Sequence, residues 1–286
     1  MNIQKYEAFL KTVEYGSLTK AAQVLGYTQS AISHMLNALE SEWGVTLLLR
    51  DRSGVCITSN GLQLLPIVRN VCNANRELIS KVRELHGLES GTIRIGTFTS
   101  VSVNWLPNMI KNFNRKYPNI NFELLHGDYN QIENWVMEGR ADCGFLRLPP
   151  RADLESIFLE QDRLMVILPE QHPLADYEFF PIKKLTEEPF ILVEAGPINE
   201  ISEIFERNHI RPNVRFTAKE DFAIISMVES GLGISILPEL VLNRTPYKII
   251  KKELEKPAYR KLGIVLKDTN HASPAVKGFL DFLHHS

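Results

Sequence analysis

Cysteine is scarce: Cys56, Cys72 and Cys143 are three in 286 residues, an odd number, far apart, with no CxxC or Cys/His ligand spacing. A disulfide framework and a structural zinc are therefore not expected, and neither a metal nor another cofactor is assigned. No apolar run approaches the roughly 18 residues that span a bilayer. The first residues, Met1-Asn2-Ile3-Gln4-Lys5-Tyr6-Glu7, lack the basic stretch and apolar core of a secretory signal, so a cytoplasmic protein with no membrane partner is expected. Catalytic motifs are missing as well. His86, His126, His172, His209, His284 and His285 are scattered, with no HExxH, GxSxG or P-loop, and Gly231-Leu232-Gly233 is too short for a dinucleotide fingerprint. An enzyme is not expected.

Positive charge is not in excess either. The net charge is −2; residues 1–90 hold nine Lys/Arg against eight Asp/Glu, and residues 91–286 hold 23 against 26. A general basic field is thus excluded, and any hold on nucleic acid must come from local placement and from oligomerisation.

What is present begins with short helices. Ile3, Tyr6, Phe9, Leu10 and Val13 repeat at helical spacing up to Gly16. Ser17 suits an N-cap, Leu18, Ala21, Ala22 and Leu25 share one face of a second helix, and Gly26 stops it. Thr28 caps a third helix running to Trp43 and Gly44. On that helix Gln29, Ser30, Ser33, His34 and Asn37 gather on one side, with Ile32, Met35, Leu36 and Leu39 on the other. One wall of short hydrogen-bonding side chains and one apolar wall are what reading the major groove of double-stranded DNA requires. The same pattern also occurs on a solvated three-helix bundle; the small Ala22, the turn glycine, the plug Ile32 and the paired caps at these intervals favour a helix-turn-helix. Val45–Leu49 and Val55–Ile57 flank Arg50-Asp51-Arg52-Ser53-Gly54 as a hairpin, placing Arg50 and Arg52 at its tip beside the reading helix, where they can meet phosphates.

From Ser59 to His86 a long helix is predicted, with Leu62, Leu65, Val68, Cys72, Ile79, Val82 and Leu85 on one stripe that asks for a partner. Pro66 is expected to kink it or delay its start, and Gly87–Gly91 to be a linker. After Gly91, strands and helices alternate (strands near 92–97, 120–126, 141–146, 164–168, 190–194, 214–218 and 234–237, two short ones near 247–250 and 262–266, and a last helix at 274–284). This predicts two α/β lobes, each on a largely parallel sheet, with a crevice between them.

The stretch from Phe9 to Ala22, Thr28 to Ser33, Leu39 to Val45, then Leu47, Arg50, Thr58 and Gly61, resembles the DNA-binding domain of LysR-type transcriptional regulators. The resemblance continues in Ile95-Gly96, Leu106-Pro107, Phe113, Tyr117-Pro118 and Glu229–Pro238, so it covers nearly the whole chain. His34, Leu48 and Ser53 depart from residues usual in that family. The resemblance implies a winged helix-turn-helix over 1–58, a dimerisation helix and hinge over 59–90, and a two-lobed α/β domain like the periplasmic binding proteins over 91–286. Its lobe I would comprise 91–162 and 267–286, and its lobe II 163–266. It also implies homo-oligomers, as dimers or as tetramers built from pairs of dimers, acting on pseudo-palindromic promoter sites under control of a small-molecule effector.

Thr28, Gln29, Ser30, Ser33, His34, Asn37, Arg50 and Arg52 are then the expected DNA contacts. Thr99, Ser100, Val101, Asp128, Arg147, Glu194, Pro197 and Asp221, on loops after strands, are the expected effector contacts. Family effector sites commonly use Ser or Thr in the first of these loops, although either residue also serves as a plain helix N-cap. Arg147 can meet an anionic effector or neutralise Asp128 or Asp221, and the acidic residues can instead favour an amine, so a small carboxylate and an amine-bearing metabolite both stay open. A solute-binding protein or small-molecule enzyme, with the N-terminal helices serving only in oligomerisation, would need a signal segment or a catalytic constellation.

Overall fold

The computed structural model describes residues 3–51, 54–85, 91–151, 153–194 and 200–284. Three helices, α1 (Ile3–Tyr15), α2 (Leu18–Leu25) and α3 (Gln29–Trp43), open the chain. Their ends follow local chemistry. The Ser17 and Thr28 hydroxyls accept hydrogen bonds from the backbone N–H of Lys20 and Ala31, at 3.3 and 3.2 Å. Gly26 and Gly44 close α2 and α3 at φ 71° and 65°, a left-handed conformation that a side chain would strain. Phe9, Ile32, Leu36, Leu39 and Leu47 fill the core between the helices.

The wing, β1 (Leu48–Asp51) and β2 (Gly54–Ile57), is an antiparallel pair held against α3 by Glu40. One Glu40 carboxylate oxygen accepts from the backbone N–H groups of Leu47 and Leu48, at 2.7 and 3.0 Å. Helix α4 (Ser59–Leu85) then runs from Ser59 straight through Pro66, with no delayed start. Its apolar stripe divides into two uses. Val68 and Cys72 are buried in the N-terminal core, with Leu64, Leu65 and Val71 packed on it, whereas Leu62, Ile67, Leu78, Ile79 and Val82 are exposed. Of the expected linker, 87–90 lie outside the described residues.

The remaining elements are β3 (Gly91–Thr97), α5 (Thr99–Asn104), α6 (Leu106–Lys116), β4 (Ile120–His126), α7 (Tyr129–Met137), β5 (Cys143–Arg147), β6 (Glu155–Pro169), β7 (Pro189–Val193), α8 (Glu200–Arg207), β8 (Asn213–Ala218), α9 (Asp221–Glu229), β9 (Ser235–Pro238), α10 (Glu239–Leu242), β10 (Ile249–Leu266) and α11 (Pro274–His284). The main sheet has the order β4-β3-β5-β10-β6-β9, and β7-β8 forms a second sheet, tied to the end of β9 by a bridge between Phe190 and Ile234.

The main sheet is mixed, which corrects the expectation of a largely parallel one. β3 pairs in parallel with β4 and β5, and β7 with β8, but β10 runs antiparallel to β5 and β6, and β6 to β9. The correction comes from length. β6 has 15 residues and β10 has 18, where the sequence suggested short strands, because charged stretches such as Glu160–Arg163 and Tyr259-Arg260-Lys261 interrupt their apolar pattern.

These two strands carry the chain between two cores. One, around Ile93, Phe113, Phe145 and Phe279, takes in Leu262, Ile264 and Leu266, so the chain returns to it within β10, ahead of the expected boundary at 266. The other lobe packs Val166, Phe180, Phe190 and Ile236 on one side and Ile167, Ile191, Ile225 and Leu237 on the other. Among the described residues no helix is long and apolar enough to cross a membrane.

Because Glu40 satisfies two backbone donors at once, Glu40→Ala is expected to destabilise the N-terminal module by about 1–3 kcal/mol. Urea denaturation followed at Trp43 checks this, and an unchanged midpoint would show that the wing is held otherwise.

Candidate functional site

On α3, Gln29, Ser30, His34 and Asn37 are exposed and Ser33 half-buried, while Ile32, Leu36 and Leu39 face the core. Thr28 is exposed, its hydroxyl 3.0 Å from that of Ser30. The expected DNA contacts up to Asn37 thus lie on one continuous polar strip. Arg50 is placed differently from the expectation. It sits within β1 opposite Val55, not at the hairpin tip, and its guanidinium folds back onto α3. There it donates to the Ser33 hydroxyl at 2.9 Å and to the Asn37 side-chain carbonyl at 2.8 Å, and lies 3.7 Å from Glu40. The wing arginine is part of the helix face. Arg52 lies outside the described residues.

The crevice between the lobes is filled by a network of charges. Arg260, on β10, lies directly opposite Asp162 on β6 and is 4% exposed. Its Nε and Nη2 donate to one Asp162 oxygen at 2.8 and 2.6 Å, and the other Asp162 oxygen accepts from the backbone of Leu240. Nη2 also donates to the Ser100 hydroxyl at 3.0 Å, and Nη1 to the Tyr129 hydroxyl at 2.9 Å. The Tyr129 hydroxyl in turn donates to Glu200 of α8, at 3.3 Å. Arg147, from the end of β5, crosses to the same helix, where it pairs with Glu203 and lies 4.0 Å from Glu200. Lobe I therefore grips lobe II through Tyr129 and Arg147, and Arg260 ties both to the crossing strands.

Burial sets the protonation here. It opposes the charge of Arg260, but the Tyr129 oxygen and the Asp162 and Glu200 carboxylates outweigh it and hold the pKa above the ordinary arginine range. Burial also pushes the Tyr129 phenol up, keeping it neutral. Asp221, at the start of α9, is raised to about 6, chiefly by burial; Arg260 lowers it, whereas Glu220 and Glu200 add to the rise.

The other expected effector residues divide. Ser100 is in the network, and Thr99 lies beside it with its hydroxyl 3.1 Å from His126 Nε2. Val101 is fully buried in the lobe I core, so its side chain does not reach the crevice as expected. Asp128 is exposed and caps α7, accepting from Gln131 N–H at 2.8 Å while the Gln131 side chain accepts from its own N–H. Arg147 meets Glu203 and Glu200 rather than Asp128 or Asp221, because α8 projects these carboxylates across the gap. Glu194 is exposed at the end of β7, and Pro197 lies outside the described residues.

Arg260, Asp162, Glu200 and Glu203 were not expected. For Arg260 and Asp162 the signal, opposite charges facing each other across paired strands, appears only once β6 and β10 are recognised as partners, and Glu200 and Glu203 on α8 follow from the packing of that helix alone. A cavity of about 620 Å³ opens elsewhere, between α4 and lobe I, with Asn73, Arg76, Arg94 and Asp142 among its lining.

Comparison with known proteins agrees with this architecture. The family profile for a bacterial regulatory helix-turn-helix protein of the lysR family matches residues 3–62, and the profile for a LysR substrate binding domain matches residues 86–286. The chain is 34% identical over 284 residues to the uncharacterized HTH-type transcriptional regulator YvbU of Bacillus subtilis, covering 98% of this chain and 97% of that one. It is 30% identical over 290 residues to the probable HTH-type transcriptional regulator LrrA of Synechococcus elongatus, covering 100% and 97%. Among solved structures, CbnR, a LysR family transcriptional regulator, superposes with a TM-score of 0.74 at 18% identity, covering 100% of this chain and 99% of that one. Full-length CbnR complexed with its target DNA gives 0.72 at 19%, again covering 100% and 99%.

The Asp221 carboxyl supplies a test of the crevice electrostatics. Its raised pKa means that the folded state pays for ionisation between about pH 4 and 6 and carries the full cost above that, at most about 3 kcal/mol. Asp221→Asn is therefore expected to raise the thermal midpoint by several degrees at pH 7.5 and by about half as much at pH 5. An equal gain at both values would show that Asp221 is not held in a desolvated site.

Proposed function

Because the chain belongs to the LysR family of transcriptional regulators, we propose that it reads promoter DNA through α3 and answers to a small molecule held between its lobes. The observation that carries the reading is the α3 face itself. Gln29, Ser30, Ser33, His34 and Asn37 are the side chains offered to base edges, with the Arg50 guanidinium laid across Ser33 and Asn37. Short amides and hydroxyls can approach base edges closely, and Thr28 at the helix start is placed to meet a phosphate. Arg50 on the wing is the cation beside this face that would turn to a phosphate, a contact that fixes register without reading sequence. That the CbnR structure with its target DNA shares this architecture over the full chain supports the reading.

A module so near neutrality needs a second copy to bind tightly. Leu78, Ile79 and Val82 on α4, exposed in the single chain, are the surface on which two chains would pair, setting two reading helices on a pseudo-palindrome. A pair of such dimers gives the tetramer. The protein then acts in the cytoplasm as a binding protein and not as an enzyme. The crevice is the effector site, with Thr99 and Ser100 at its lobe I wall, and an effector acts only by favouring one lobe or subunit arrangement over another.

Mobility shifts on the protein's own promoter region at two salt concentrations test the reading. Gln29→Ala with Ser30→Ala is expected to cost roughly 1–3 kcal/mol per lost base contact and to leave binding to scrambled DNA unchanged. Arg50→Ala should weaken all sequences alike and lower the salt slope by about one. Should the double variant match wild type on both DNAs, α3 is not the reading element.

A further inference from the structure

The chemistry of the crevice indicates which class of molecule it takes, and this inference rests on the crevice being the effector site. Arg147 and Arg260 face four carboxylates there, Asp162, Glu200, Glu203 and Asp221, and Arg207 answers Glu203 from the solvent side of α8, which makes three cations to four acids. The cations are already committed. Arg260 spends two of its nitrogens on Asp162 and donates the rest of its reach to Ser100 and Tyr129, with Glu200 no closer than 3.5 Å; Arg147 is held by Glu203.

Two carboxylates are only partly answered. Glu200 is 9% exposed; its Oε1 is held by the Tyr129 hydroxyl at 3.3 Å and Arg260 Nη1 at 3.5 Å, but its Oε2 is buried with no hydrogen-bond partner, and Arg147 comes only to 4.0 Å. Asp221 stands near enough to Glu200 and Arg260 to feel both charges, yet among the described residues no donor or cation reaches its carboxylate within bonding distance. Acidic residues in a first helical turn ordinarily answer the helix dipole by accepting its free N–H groups. Glu200 Oε2 accepts none. A buried carboxylate oxygen without a donor is costly, and the cost is relieved by whatever brings a donor to it.

We propose that the effector carries a cationic nitrogen, an alkylammonium or guanidinium, that binds between Glu200 Oε2 and Asp221. Such a group brings several N–H donors and a positive charge that evens the count, whereas a carboxylate would add a fifth negative group beside the open oxygen of Glu200 and the unbonded Asp221. Next to the acids stand the rings of Phe98 and Tyr129, edge to face at 5.1 Å, which offer an apolar wall for the stem behind the nitrogen. The raised pKa of Asp221 agrees with a carboxylate awaiting its counter-ion.

The test uses the full-length protein at pH 7.5, with putrescine, agmatine and arginine as cationic probes and succinate and benzoate as anionic ones. Thermal shift and titration calorimetry are run on wild type, Glu200→Gln, Asp221→Asn, Ser100→Ala, and Glu206→Gln on the exposed side of α8 as a control. At least one cationic probe is expected to bind wild type and the Glu206 variant alike, and tenfold or more weakly to the Glu200 and Asp221 variants, each measured against its own baseline. Cationic binding that is unchanged in Glu200→Gln and Asp221→Asn overturns the proposal, as does the lack of any cationic response at 10 mM. Binding of an anion that is lost in Ser100→Ala but kept in the two acid variants overturns the cationic class and leaves the crevice as the effector site. Binding that survives in every crevice variant removes the effector from the crevice altogether.

Discussion

Arg260 and Asp162 meet where the two longest strands of the molecule pass from one lobe to the other. Neither charge has water to fall back on, so each depends on the other and on the dipoles around them, the Ser100 and Tyr129 hydroxyls and the Leu240 amide. A buried pair of this kind contributes little net stability against an apolar substitute, but taking away one partner leaves a bare buried charge at a cost of roughly 3–5 kcal/mol. Its value lies in geometry. It fixes the register of β6 on β10, and from that register follow the reach of Arg147 to α8 and the place of Tyr129 against Glu200. The relative setting of the lobes is thus written in a few polar contacts at their shared seam rather than in a broad apolar interface.

A seam of charges is also a seam that can be reset. A hydrogen-bonded network has few alternative pairings and changes between them in discrete steps. At the opposite end of the chain the same economy holds. Arg50 is shared among Ser33, Asn37 and Glu40, so one guanidinium both fastens the wing and completes the polar face of α3.

Much of this was legible in the residues alone. Ser17, Gly26, Thr28 and Gly44 declare the helix ends because capping and positive φ are local matters, and the two walls of α3 follow from periodicity. The parts that escaped are those where a long-range pairing overrides local pattern. β6 and β10 look like interrupted strands because Asp162 and Arg260 stand at their crossing, so the residues that organise the crevice were the ones that hid it. Arg50 appeared to belong to a hairpin tip because nothing local reveals that it turns toward Asn37, thirteen residues earlier. Asp128 is the exception, since the capping box it forms with Gln131 three residues on is a local pattern that the residues themselves carry. Pro66 suggested a break, yet α4 runs through it because neighbouring residues are fastened into a core.

That fastening changes what counts as a unit of this protein. Val68 and Cys72, well past the wing, close the floor beneath Phe9 and Leu36, so the first three helices and the wing do not own a complete interior. A fragment cut at Thr58 would open that floor to solvent and lose the cooperativity of the module. The smallest autonomous DNA-reading piece must carry α4 at least through Cys72, and a cut just beyond that point would keep the interior closed while leaving behind Leu78, Ile79 and Val82: in this chain the first half of one helix belongs to reading and the second half to pairing.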